Sequence, residues 1–183
     1  MRRLLLFFTL ATFLFLQIQP VFGQSVGKMD VVWAKTKLPK GSTFGVKFDY
    51  SRTLFRGLSY DDFCHRDAEF GDGMKEAEDR FYRKLKEKLW DNYAAKKRVL
   101  SATEEDTPDY TIFVRPRDID EHGNFIGDVV ILDAHGKPFA NMRNVFGAGG
   151  HIGSYTNLIG DGYESVVDVI INELALAIDL GKA

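Results

Sequence analysis

The run Val129-Val130-Ile131-Leu132 is apolar without a break, stops at Asp133-Ala134-His135-Gly136-Lys137-Pro138, and is followed by a second apolar run from Phe139 to Phe146. Two such runs around a break carrying Asp and Gly predict a β-hairpin, and the four consecutive apolar side chains predict a strand covered on both faces or nearly so. A chain with such a strand must build a sheet and must find apolar surface elsewhere to cover it.

The rest of the chain supplies that surface. Phe44, Val46, Phe48 and Tyr50 alternate with Gly45, Lys47 and Asp49, which predicts a half-buried strand over Thr43 to Tyr50. Tyr110 to Arg115 is rich in aromatic and β-branched residues and predicts another strand, closed by Pro116, while Val31, Val32 and Trp33 form a short extended piece. Residues 51–71 show no sustained period and are expected to connect. Met74, Ala77, Phe81, Leu85 and Leu89 recur at three and four, which predicts an amphipathic helix from Met74 to about Tyr93. Asp72 is its expected cap, and Glu76–Arg80 and Asp79–Arg83 are expected surface pairs. A second helix is expected at the end, with Asp161 and Glu164 as a capping box, a stripe of Val167, Ile170, Ile171, Leu174, Ala177 and Ile178, and Gly181 as terminator. The expected fold class is α+β: a mainly antiparallel sheet of about four strands with two amphipathic helices packed on one face. Aromatic residues on an uncovered opposite face would then form a contact surface.

The N-terminus has the three parts of an export signal: cationic Arg2 and Arg3, an uncharged apolar run from Leu4 to Leu16, and a polar exit through Gln17, Gln19 and Pro20. The run falls short of the roughly 20 apolar residues that cross a ~30 Å hydrocarbon core. Residues 1–23 are therefore expected to be a cleaved signal peptide, and residues 24–183 a single domain with no stable membrane span. The formal net charge of −2 becomes more negative by two when Arg2 and Arg3 leave, which gives no footprint for nucleic acid. Cys64 is the single cysteine, so no internal disulfide can form, and no Asn is followed two positions later by Ser or Thr. A bacterial periplasm or cell exterior is the expected location.

No segment carries a complete chemical motif. Gly147-Ala148-Gly149-Gly150-His151-Ile152-Gly153 lacks the glycine that a dinucleotide loop needs at Ile152, and lacks a Gly-Lys-Ser/Thr ending, so a flexible loop or bulged strand is expected. Asp118-Ile119-Asp120-Glu121-His122-Gly123-Asn124 begins like a calcium loop, but His122 replaces an oxygen ligand and Val129 stands at the twelfth place, so a solvated turn is expected. Cys64-His65, flanked by Asp61, Asp62 and Asp67, holds the residue types of a thiol enzyme, although adjacent side chains usually diverge. His122, His135 and His151 lie in expected turns. Lys96-Lys97-Arg98 could touch anionic lipid or polysaccharide, although three charges at a solvated helix end are common. The sequence predicts no catalytic, cofactor-binding or metal residue.

The element order, with Leu132-Asp133-x-x-Gly136-Lys137 in the hairpin and Pro108-Asp109-Tyr110-Thr111-Ile112 opening the second half, resembles a broad set of small bacterial envelope proteins. The layout is similar to the TolB N-terminal domain and to curli-transport lipoproteins. Members of those sets are often lipid-anchored, and this chain has no cysteine at the expected cleavage site. The resemblance implies an envelope-located interaction module and transfers no catalytic residue. The expected function is accordingly a non-enzymatic exported module that binds a protein or envelope component. The alternative is a periplasmic hydrolase that uses Cys64 or the carboxylates near Asp118 with a distant histidine.

Overall fold

The computed structural model describes residues 27–181; the expected signal peptide and its cleavage site lie outside the described residues. In chain order the elements are β1 (Asp30–Trp33), β2 (Thr43–Phe48), β3 (Leu54–Phe55), α1 (Tyr60–Arg66), α2 (Phe70–Asp91), α3 (Tyr93–Arg98), β4 (Ser101–Ala102), β5 (Tyr110–Ile119), β6 (Phe125–Asp133), β7 (Pro138–Gly147) and α4 (Tyr155–Asp179). The strands form one seven-stranded sheet in the order β1-β7-β6-β5-β2-β4, with β3 also paired to β5.

This sheet overturns the expected four-stranded, mainly antiparallel one with two helices: among the described residues it is mixed, it has seven strands, and four helices accompany it. The physical reason lies in the connections. Short turns join β5, β6 and β7, which pair antiparallel as hairpins must. The chain between β2 and β5 instead runs through β3, α1, α2, α3 and β4, a largely helical crossover that returns it in the same direction, so β2 and β5 pair in parallel, Phe44 opposite Tyr110 and Phe48 opposite Val114. β3 and β4 are two residues each, too short to show any period, and α1 lies within the expected connection.

Pro116 does not end its strand. β5 pairs β2 up to Val114 and β3 from Asp118, so position 116 falls in the gap between them, where no neighbouring strand on that side asks for its missing N–H. The ladder to β6 shifts register there, and the Pro116 carbonyl accepts from Thr53 Oγ1 at 2.7 Å.

One face of the sheet packs on α2 and α4. Phe48 lies 5.3 Å from the Phe81 ring of α2 and 5.1 Å from the Tyr163 ring of α4, so both helices cover the face it belongs to. Phe70, Met74, Ala77, Phe81, Leu85 and Leu89 are all buried along α2. α4 opens seven residues' worth of chain before the expected box, capped by Ser154, which accepts from Asn157 N. Asp161 and Glu164 serve another purpose. Arg80 of α2 donates to Asp161, to Glu164 Oε1 at 2.8 Å and to Asn157 Oδ1 at 2.8 Å. Lys84 and Lys88 continue the ladder onto Asp168 at 2.9 and 3.1 Å. α2 likewise begins at Phe70, with Glu69 at the cap position and no side-chain cap bond, so Asp72 lies inside the helix.

Candidate functional site

The sheet leaves one stretch of ladder open beside the helices. In a strand the N–H and C=O of one residue point to the same edge, and alternate residues share that edge. Ser101 N donates to Ser42 O at 3.3 Å and Thr103 N to Phe44 O at 2.9 Å, so the even-numbered residues of β2 face β4. Thr103 Oγ1 then accepts from Glu105 N at 3.2 Å and the chain turns off. The outward backbone groups of Val46 and Phe48, next along that edge, have no strand beside them among the described residues.

An open cleft of about 490 Å³ adjoins this edge, lined by Val46, Lys47, Phe48, Glu78, Asp79, Tyr82 and Glu104. The helix period places Glu78, Asp79 and Tyr82 on the side of α2 next to its buried stripe. Among the described residues none of Glu78, Asp79 and Glu104 makes an ion pair. Glu78 accepts from Tyr50 Oη at 2.7 Å, and Tyr50 in turn accepts from the buried Tyr163 Oη at 3.0 Å. Burial pushes the Glu78 carboxyl above the usual carboxylate range, against the Tyr50 hydrogen bond, and Asp79 adds to the rise. Burial raises both phenols well above their ordinary value. Three carboxylates thus outnumber the one cation of the cleft, Lys47, and this net negative charge lies beside main-chain groups with no strand partner among the described residues, a combination suited to an extended, basic segment.

The residues singled out in the sequence lie elsewhere and apart from one another. Cys64 is half-buried on α1, beside Tyr60, whose phenol is raised to about 12 by burial first and by the thiol second. Neighbouring Phe63 packs on Phe70 and Tyr155. Cys64 has no hydrogen bond or ion pair with a histidine among the described residues. The acids around it are helix-end groups: Ser59 caps α1 by accepting from Asp62 N and donates to Asp62 Oδ2, and Asp67 Oδ1 accepts from Glu69 N.

Asp120 spends its carboxylate within its own turn. Oδ1 accepts from His122 N at 2.9 Å and Asn124 N at 3.0 Å, and Oδ2 accepts from Asn124 Nδ2 at 2.8 Å. Burial and the neighbouring Asp120 and Glu121 raise the Asp118 carboxyl. Among the described residues no group of three or more His, Cys, Asp or Glu is placed to hold one metal ion.

The glycine-rich loop is tied down. Gly149 N donates to Asn124 Oδ1 at 2.9 Å and Ala148 N to Ser165 Oγ at 3.0 Å, so these amides are taken by side chains of the protein. A Cβ at Gly149 would collide with the His122 and Gly123 backbone, which accounts for a glycine there by close approach of two chain segments.

The open edge of β2 was not legible in the sequence. The alternation from Phe44 to Phe48 announces a strand, but its exposure depends on a two-residue β4, and Glu78, Asp79 and Glu104 converge only once α2 lies beside it.

No helix among the described residues is long and apolar enough to cross a membrane. No protein-family model matches the chain, and no curated protein matches it. Among solved structures, it is similar to a PelC dodecamer from Paraburkholderia phytofirmans, with 10% identity and a TM-score of 0.39 over 79% of this chain and 98% of that one.

Proposed function

We propose that the protein is a non-enzymatic interaction module of the bacterial cell envelope that takes an extended, basic segment of a partner protein as an added strand along β2. One observation carries this reading: the outward backbone of Val46 and Phe48, without a paired strand among the described residues, lies beside a cleft where Glu78, Asp79 and Glu104 outnumber Lys47. Strand addition draws affinity from main-chain hydrogen bonds and selectivity from alternate side chains, which here would meet carboxylates. The envelope location is supported by the cationic, apolar and polar succession from Arg2 to Pro20. β1, at the other edge of the sheet, is four residues long and begins with a charged Asp30, two devices that blunt a strand edge.

The test is selection of random peptides on the protein, followed by hydrogen-exchange mapping of the selected complex. The expected result is lysine- or arginine-bearing peptides that protect the Val46 and Phe48 amides, with binding lost in Val46→Pro, which removes one edge donor. Peptides that bind without protecting those two amides would overturn the reading.

A further inference from the structure

A second surface lies at the end of the molecule built from α3 and the last turns of α2 and α4, and it owes nothing to the open edge of β2. Large apolar side chains stand in solvent there: Trp90 and Tyr93 are each 71% exposed, Val99 and Leu180 58%, and Leu176 52%. Leu176 and Leu180 share one stripe of α4, and α4 packs against α3. Asp179, on the same stripe, is close enough to act on the charge of Lys97.

Cations surround these side chains. Lys97 Nζ lies 4.4 Å from the Tyr93 ring centre, and Lys96 Nζ 5.4 Å from that of Trp90. Arg83 and Lys86 flank Trp90 along a largely apolar cleft of about 470 Å³. Lys35 and Lys37 line another cleft with Gly181, just past α4. None of these six is in an ion pair among the described residues. Glu87 lines the cleft with Arg83 and Lys86, and Asp179 acts on Lys97, while the chain as a whole carries a formal net charge of −2, so the basic character is local.

Val99 is the most telling residue. It closes α3 at φ +56 and ψ +43, the left-handed position that glycine ordinarily takes, and a β-branched side chain is strained there. Its amide makes the usual closing bonds to Ala95 O and Lys96 O, which glycine would make equally well. What valine adds is an apolar group held out into water at the end of the helix that carries Tyr93, Lys96 and Lys97.

We propose that this end docks on the surface of an anionic lipid bilayer, with Trp90 and Tyr93 seated among the headgroups and Arg83, Lys86, Lys96 and Lys97 facing lipid phosphates. Indole and phenol rings favour the boundary between hydrocarbon and water, and basic residues beside them add attraction that requires negatively charged lipid. The fit is one of charge complementarity around exposed aromatic side chains.

The test uses the protein in the processed form that the expressing cell exports, in a Trp33→Phe background so that emission reports Trp90 alone. Vesicles of phosphatidylglycerol with phosphatidylcholine are expected to shift Trp90 emission to the blue and to sediment the protein. Phosphatidylcholine alone is expected to do neither, and added salt to reverse both effects. Lys96→Ala with Lys97→Ala should weaken vesicle affinity about 25-fold, from roughly fivefold per cation, and Trp90→Ala by several-fold, with melting temperatures unchanged at these exposed sites. Val99→Gly should weaken lipid binding while raising the melting temperature, which separates a binding role from a folding one. Equal binding to neutral vesicles would overturn the proposal. So would a blue shift with soluble dextran sulfate and none with vesicles, which would assign the surface to an anionic polymer.

Discussion

Two turns in the sheet are spelled alike and used differently. Asp120-Glu121-His122-Gly123-Asn124 joins β5 to β6, and Asp133-Ala134-His135-Gly136-Lys137 joins β6 to β7. In each the aspartate Oδ1 accepts from the amides two and four residues on, at 2.9 and 3.0 Å in the first and 2.9 and 2.9 Å in the second. In each the glycine donates to the aspartate carbonyl and adopts a positive φ, +72 at Gly123 and +75 at Gly136. The surroundings separate them. A Cβ on Gly123 would collide with the backbone of Leu158 and Ile159 in α4, and Asn124 holds the glycine-rich loop through Gly149 N. A Cβ on Gly136 would meet nothing within 4 Å. The same local code thus makes a free-standing hairpin turn in one place and, in the other, a seat for a helix and a loop.

The largest effect that can break this contrast is Gly123→Ala. The dihedral costs about 1–2 kcal/mol, and crowding against α4 adds about 1–3 kcal/mol, so urea denaturation should show a loss of about 2–5 kcal/mol. Gly136→Ala carries only the dihedral cost and should lose about 1–2 kcal/mol in the same experiment. Equal losses would show that backbone conformation, and not contact with α4, sets both.

The smallest effect concerns charge. The Asp133 carboxyl is held below its ordinary value, first by the Lys137 amide and then by that of His135. The carboxylate form therefore stabilises the folded chain above the unfolded value of ~3.9, and this contribution fades as pH falls through the lower folded value. Asp133→Asn should make the fall in stability below about pH 4 slightly shallower, read from denaturation midpoints across a pH series; an unchanged acid limb would remove the carboxylate from the account of this turn.

What the sequence disclosed follows from how far each signal reaches. The hairpin was legible because its turn residues and flanking apolar runs are contiguous, and the stripe from Met74 to Leu89 was legible because period alone defines it. Asp161 and Glu164 misled because their spacing mimics a capping box, while their true partner, Arg80, lies on another helix. Pro116 misled because a strand tolerates proline where its flank is bare, and only the pairing of β2 and β3 reveals that flank. The parallel register of β2 with β5, the cleft beside it and the seating of Gly123 on α4 all depend on contacts between distant segments, which no local pattern records.

The pairing of β1 with β7 sets a timetable. Asp30 lies opposite Arg143 and Trp33 opposite Ala140, so β1, once it has left the ribosome or a translocation pore, must wait for more than a hundred further residues before it finds its neighbour. Closing so long a loop is entropically unfavourable and slow, and during that interval Val31 and Trp33 remain available to chaperones and to strands of other nascent copies.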